Sequence, residues 1–261
     1  MFDPVYKKPI PPFVKKLGVV TAPTGAAVRD IIQISRRRNP GIQIILYPAL
    51  VQGEYAAASI VQGIHALEAK NVDSSGYKFD VINIGRQVLG NLFSDFRDSF
   101  TACYRQKNIE GMKEWAEKMN TLFTDVDRLL SCESSFSIGK WIKDARDWGK
   151  NLKEKEYYEQ NARCILTTWG QKATQLNDYA NRGWGGLTDS YYRKRWELFT
   201  QYAIDEMSHG KEIDEKSFYN LITEFEYQWT LQTNVYSESS GEDPIRIANL
   251  LYIKYNPYFD K

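Results

Sequence analysis

The residues of this chain best suited to chemistry lie in one stretch, 166–186 (LTTWGQKATQLNDYANRGWGG). It reads as a helix ending at Trp169-Gly170, then a polar run, then Asp178, Tyr179, Asn181, Arg182 and Trp184 gathered around glycines. Indole faces beside amide and charged groups suit sugars, because rings stack on the apolar faces while hydroxyls take hydrogen bonds. The same composition also fits a plain interhelical connection, and spacing alone leaves both readings open. The carboxylate pairs Asp125/Asp127 and Glu224/Glu226 are two residues apart on helical patterns. Members of such a pair point to different helix sides, so surface charges are expected. His65 and His209 are isolated and expected to be structural or solvent-exposed. Cys103, Cys132 and Cys164 are odd in number and widely spaced. That pattern suits a reducing compartment or buried thiols rather than a disulfide framework or zinc site, so no metal or cofactor is expected.

Two kinds of element must position these groups. Residues 16–20 (KLGVV) read as a short buried strand, and 21–27 (TAPTGAA) as a turn opening a helix with Val28, Ile31, Ile32 and Ile34 on its apolar side. That turn either presents backbone N–H groups to an anion or simply joins strand to helix. Arg36, Arg37 and Arg38 close the helix; they fit phosphate contacts, or a solvated helix end favoured by the dipole. Residues 42–47 (IQIILY) are a second strand and 56–69 a second helix. Strand–helix–strand–helix indicates parallel-sheet construction, which two strands cannot complete.

From residue 80 the apolar spacing turns helical. Amphipathic segments follow at 88–104, 109–130, 138–148, 157–168, 191–207 and 218–231. The final helix has Asp243 as N-cap and Pro244 in its first turn. Trp115, Trp141 and Trp148 are expected in the core, and 235–241 as a polar, mobile loop. The expected fold is mainly α: a C-terminal α-helical bundle preceded by a small truncated α/β (βαβα) segment.

Composition marks the join. Residues 1–73 contain no tryptophan and nine Lys/Arg against five Asp/Glu, whereas all seven tryptophans follow. The chain is therefore read as two pieces, 1–73 and 77–261. The overall charge of +1 predicts no general attraction to nucleic acid or anionic membrane. The beginning FDPVYKKPIPP lacks a signal layout and no run of 18 apolar residues exists, so a cytoplasmic protein without a membrane partner is expected.

Each piece resembles a known family. The run KKLGVVTAPTGAAVRDIIQISRRRNPGIQIILYPALVQGEYAAASIVQGI resembles the start of the catalytic domain of the exodeoxyribonuclease VII large subunit, a single-stranded-DNA nuclease. The resemblance implies a catalytic role for Asp30, with single-stranded DNA and the nuclease small subunit as partners. The family's glycine-rich loop and its G-H-E-x-D block do not follow; Gly85 and Arg86 imitate only the former's start. A lone Asp30 cannot organise phosphodiester hydrolysis, since nucleophile and leaving oxygen both need stabilisation.

Residues 80–259 resemble the C-terminal α-helical domain of α-N-acetylglucosaminidases, glycoside hydrolase family 89. The carrying blocks are DVINIGRQVLGNLFSDF, YYEQNAR, LTTWG and NDYANRGWGGLTDSYYRKRW. The resemblance implies a domain that packs against a (β/α)8 barrel and closes one side of a pocket for terminal α-linked N-acetylglucosamine, with Trp169 and Tyr179 as substrate-binding residues. Retaining hydrolysis needs two carboxyl groups about 5 Å apart, which in that family sit in the barrel. The expectation is a fusion of partial hydrolase domains without catalysis of its own, whose partners are such a barrel or an N-acetylglucosamine-containing glycan. An exposed docking face is expected to promote self-association. The alternative is a nuclease large-subunit fragment.

Overall fold

A computed structural model describes residues 16–68, 75–170, 172 and 180–259. They fall into two compact units divided between Tyr77 and Lys78.

In the first unit, β1 (Lys16–Thr21) and β2 (Gln43–Pro48) pair in parallel, Val19 opposite Leu46. Between them runs α1 (Ala26–Arg38), whose last turn holds the three exposed arginines where the helix dipole favours them. After β2 comes α2 (Ala56–Glu68), which packs on both strands. Gly63 permits that approach: a Cβ there would lie 2.6 Å from Tyr47 Cδ1 and 2.7 Å from Val20 Cγ1. Val19, Val28, Ala49 and Leu67 are the buried apolar residues among those described, a small core for an α/β layer.

The second unit is helical, as the apolar spacing required. Its elements are α3 (Ser75–Arg105, whose first turn precedes the division), α4 (Ile109–Leu130), α5 (Ile138–Asp147), α6 (Leu152–Leu166), α7 (Lys194–Ser208), α8 (Glu215–Thr230) and α9 (Pro244–Tyr255). Residues 81–87, whose Gly85 and Arg86 imitate the start of the nuclease's glycine-rich loop, are helical. A Cβ on Gly85 would meet Leu129 Cδ2 at 2.7 Å, so this glycine serves helix packing. Side-chain caps define the helix starts: Asn108, Ser137, Asn151, Asp214 and Asp243 each accept a backbone N–H from the first turn.

Two apolar clusters fill the unit. The larger joins Leu92, Phe96 and Phe100 of α3 to Met112, Met119 and Leu122 of α4, with Ile247 and Leu251 of α9. The smaller joins Ile138 and Ile142 of α5, Ala162 and Leu166 of α6, Leu187, Tyr191 and Trp229. Trp184 packs against both.

Three expectations are corrected. Trp148 is 79% exposed rather than core, because α5 ends just before it and its ring lies beyond the packed face. Segment 235–241 is pinned, not free: Ser237 O accepts from Ser137 Oγ at 2.8 Å, Ser240 N donates to Ser131 O at 2.7 Å, and Ser239 Oγ donates to Cys132 O at 3.0 Å. Its polar groups are partners for the α4–α5 connection. Three of the four paired carboxylates, Asp125, Asp127 and Glu226, are structural rather than surface charges, while Glu224 is exposed as expected. Asp125 accepts from Tyr255 Oη at 2.5 Å, Glu226 is buried and pairs with Arg195 at 2.8 Å, and Glu224 pairs with Lys172. Asp127 receives backbone N–H groups described below.

Candidate functional site

Helix α6 carries the anchor of the candidate sugar platform. Two charged side chains one turn apart on it, Glu159 and Arg163, are both below 2% exposed. Arg163 Nε and Nη2 donate to Glu159 Oε1 at 3.0 and 2.7 Å, and Arg146 Nη1 donates to Glu159 Oε2 at 2.5 Å. The Arg163 guanidinium also lies over the rings of Trp229 (4.7 Å) and Tyr236 (5.3 Å). These contacts offset the cost of burying the pair, with Arg163 Nη1 alone of its nitrogens lacking a hydrogen-bond partner among the described residues. It ties the end of α6 to α5, to the end of α8 and to the segment after it.

Immediately beyond, the chain turns. Thr167 Oγ1 donates to Arg163 O at 2.8 Å, and the N–H groups of Thr167 and Trp169 both donate to Cys164 O, at 3.1 and 2.7 Å. Thr167 and Thr168 are buried, while Trp169 is 43% exposed. Trp169 has φ +57°, a left-handed backbone that normally falls to glycine at a helix C-terminus. A bulky ring held there is a strained choice, the kind kept where the side chain has work outside the fold. Trp169→Gly is therefore expected to be about 1 kcal/mol more stable than Trp169→Ala in denaturant unfolding, although both remove the ring.

The other part of the candidate stretch that is described is 180–186. Gly185 N donates to Phe136 O at 2.6 Å and Ile138 N to Gly185 O at 3.0 Å, a short parallel bridge. A Cβ on Gly185 would lie 2.7 Å from Ser131 N, so glycine is required. Gly186 N and Asp189 N donate to Asp127 Oδ1 at 2.7 and 2.9 Å. Burial, the largest influence, pushes the Asp127 carboxyl up to about 6, against the opposing pull of those two N–H donors. The chain then makes a π-helical turn, Thr188–Arg193, which continues into α7. In that turn Ser190 Oγ receives Trp229 Nε1 at 3.2 Å and Tyr236 Oη at 3.1 Å. The Trp141 and Trp184 rings lie 5.9 Å apart, and Trp141 Nε1 donates to Ala162 O at 3.0 Å.

Of the residues expected at sites, Trp169 lies just beyond the end of α6, 43% exposed and with a left-handed backbone. Tyr179 lies outside the described residues. Asp30 is exposed on α1 in the first unit, and its side chain makes no hydrogen bond or ion pair among the described residues. No group of three His, Cys, Asp or Glu side chains suited to a metal occurs among the described residues. The sequence reading missed Glu159, Arg163 and Asp127 as organisers. Their one visible signal was charge within otherwise apolar helical faces. No helix among the described residues is long and apolar enough to cross a membrane.

Known proteins match both units. The exodeoxyribonuclease 7 large subunit of Lachnoclostridium phytofermentans is 61% identical over 74 residues, 28% of this chain and 18% of that protein. Human α-N-acetylglucosaminidase is 28% identical over 185 residues, 70% of this chain and 25% of that protein. A family 89 glycoside hydrolase from Clostridium perfringens, solved in complex with PUGNAc, superposes with a TM-score of 0.70 at 28% identity, covering 82% of this chain and 25% of that one. The same hydrolase in complex with 2-acetamido-1,2-dideoxynojirmycin gives 0.69 at 27% identity, over 80% and 24%. The chain thus spans about a quarter of the glycosidases it matches. The α-N-acetylglucosaminidase (NAGLU) C-terminal domain family model matches residues 17–254. This chain, with a glycoside-hydrolase-related helical domain, belongs to that family.

Proposed function

We propose that the helical unit completes the sugar pocket of an α-N-acetylglucosaminidase-type glycosidase, with Trp169 as its stacking surface and no bond cleavage of its own. The observation that carries this reading is the exposed Trp169 ring on a left-handed backbone, braced by buried Arg163 and Glu159. Asp125, Asp127 and Glu226 are engaged in structural contacts and Glu224 in an exposed ion pair, and cleavage is assigned to groups on a catalytic barrel. Tyr179, ten residues on from Trp169, is proposed as a second contact to the sugar. The exposed Trp148, Leu152 and Tyr157 provide apolar surface for a partner domain or for self-association.

Titration with N-acetylglucosamine is expected to change tryptophan fluorescence in the full chain and not in Trp169→Ala. An equal response in the variant would reject Trp169 as the contact.

A second reading rests on the 61% identity of the first unit to a nuclease subunit. In it the chain is a fusion of two partial hydrolases, and residues 1–73 are a remnant of a single-stranded-DNA nuclease in which Asp30 has lost its catalytic partners. Single-stranded DNA binding that falls steeply with salt and disappears when Arg36, Arg37 and Arg38 are all replaced by alanine would support a DNA role. Binding unchanged by that replacement would dispose of it.

A further inference from the structure

In the helical unit, arginines usually have a carboxylate. Arg97, Arg128, Arg146, Arg163, Arg193, Arg195 and Arg246 all do. Arg86, Arg105 and Arg182 do not, among the described residues, and the fold brings Arg86 and Arg182 to the same place. Arg86 projects from α3 with its guanidinium 5.5 Å from the Phe136 ring centre, and its Nη2 donates to Asn83 Oδ1 at 2.6 Å. Its stem lies along Gly183: a Cβ on that glycine would be 3.1 Å from Arg86 Cδ and 3.9 Å from Arg86 Nη1. Arg182 immediately precedes Gly183, with its guanidinium 6.0 Å from the Trp184 ring centre. Two cations thus flank one glycine, and Arg182 and burial together hold the Arg86 guanidinium below its usual range, with burial the larger influence.

Like charges held together with no counter-charge among the described residues are unfavourable, and the contacts of Arg86 with Phe136 and Asn83 engage only part of its fork. Asn83 fixes the fork while leaving Arg86 Nε and Nη1 free to donate. Arg182 is exposed and adds a second fork. Paired forks of this kind match the oxygens of a tetrahedral oxyanion. We propose that Arg86 and Arg182, brought together across Gly183, form a binding site for a phosphate or sulfate group, free or carried on a small sugar. The proposal is independent of whether Trp169 contacts a saccharide.

Calorimetric titration of the full chain at constant ionic strength tests it, with inorganic phosphate, inorganic sulfate and glucose 6-phosphate as probes. Saturable one-site binding is expected, weakened about 10-fold or more in Arg182→Gln. Arg182 is exposed, so that variant keeps its fold, as unfolding curves can verify; Arg86→Gln serves as the second variant. Tighter binding of glucose 6-phosphate than of phosphate would assign the group to a sugar, and equal binding to the free ion; either supports the site. Absence of saturable heat with all three probes, or unchanged affinity in Arg182→Gln, would overturn it.

Discussion

Replacing Arg163 by alanine is expected to remove about 3–5 kcal/mol from the stability of the helical unit, the largest loss of any single polar substitution considered. The change strands Glu159 in a site below 2% exposed, with Arg146 as its one remaining cation, and it removes the cation stacked on Trp229 and Tyr236. It also frees the α6 end that presents Trp169. Removing both partners together, Glu159→Leu with Arg163→Met, is expected to cost much less than Arg163→Ala, since no lone charge stays buried. Denaturant unfolding followed by tryptophan fluorescence isolates the effect, because all seven tryptophans lie in the helical unit. A loss below about 1 kcal/mol in Arg163→Ala would show that the pair is not what secures this corner.

Asp127 is expected to give the second largest effect, and one that depends on pH. Its carboxyl titrates near 6 in the folded protein, above its unfolded value, because burial disfavours the charge. The stability this group contributes is therefore fully present below about pH 4 and lost as pH rises through about 6. The loss amounts to at most ~3 kcal/mol. Asp189 adds to the upward push, while Ser131 and the N–H groups of Gly186 and Asp189 oppose it. Asp127→Asn keeps an acceptor for those N–H groups without the charge, and should flatten the stability profile between pH 4 and 7. Asp127→Ala leaves both N–H groups without their acceptor and should be about 2–4 kcal/mol less stable than Asp127→Asn at every pH. Identical pH profiles for wild type and Asp127→Asn would remove the buried carboxyl from the account.

Helix positions were legible in the sequence because apolar spacing records them directly. Segment 109–130 reads as one face and becomes α4 with its Asn108 cap, and Asp243-Pro244 opens α9 as capping chemistry requires. The parallel pairing of KLGVV with IQIILY was legible for the same reason. Partnerships distant in sequence were not. Asp127 and Glu226 read as surface charges because each lies two residues from another acid. Their burial is decided by Gly186 and Asp189 in one case and Arg195 in the other. The polar 235–241 stretch has the composition of a free loop, yet its serines satisfy the α4–α5 connection. Of the candidate site, the sequence pointed to the Trp169 corner through LTTWG. It carried no sign of the left-handed backbone, since glycine at 170, not tryptophan at 169, is the residue expected to take that conformation.

The central claim is that this chain supplies one wall of a sugar pocket and none of the cleaving groups. Its most direct test is release of N-acetylglucosamine from an α-linked substrate, measured with the chain alone and with a family 89 barrel that lacks its helical domain. The account predicts no release by the chain, restored release when the two are mixed, and a marked drop when Trp169→Ala replaces wild type in the mixture. Release by the purified chain alone, or no restoration on mixing, would contradict it.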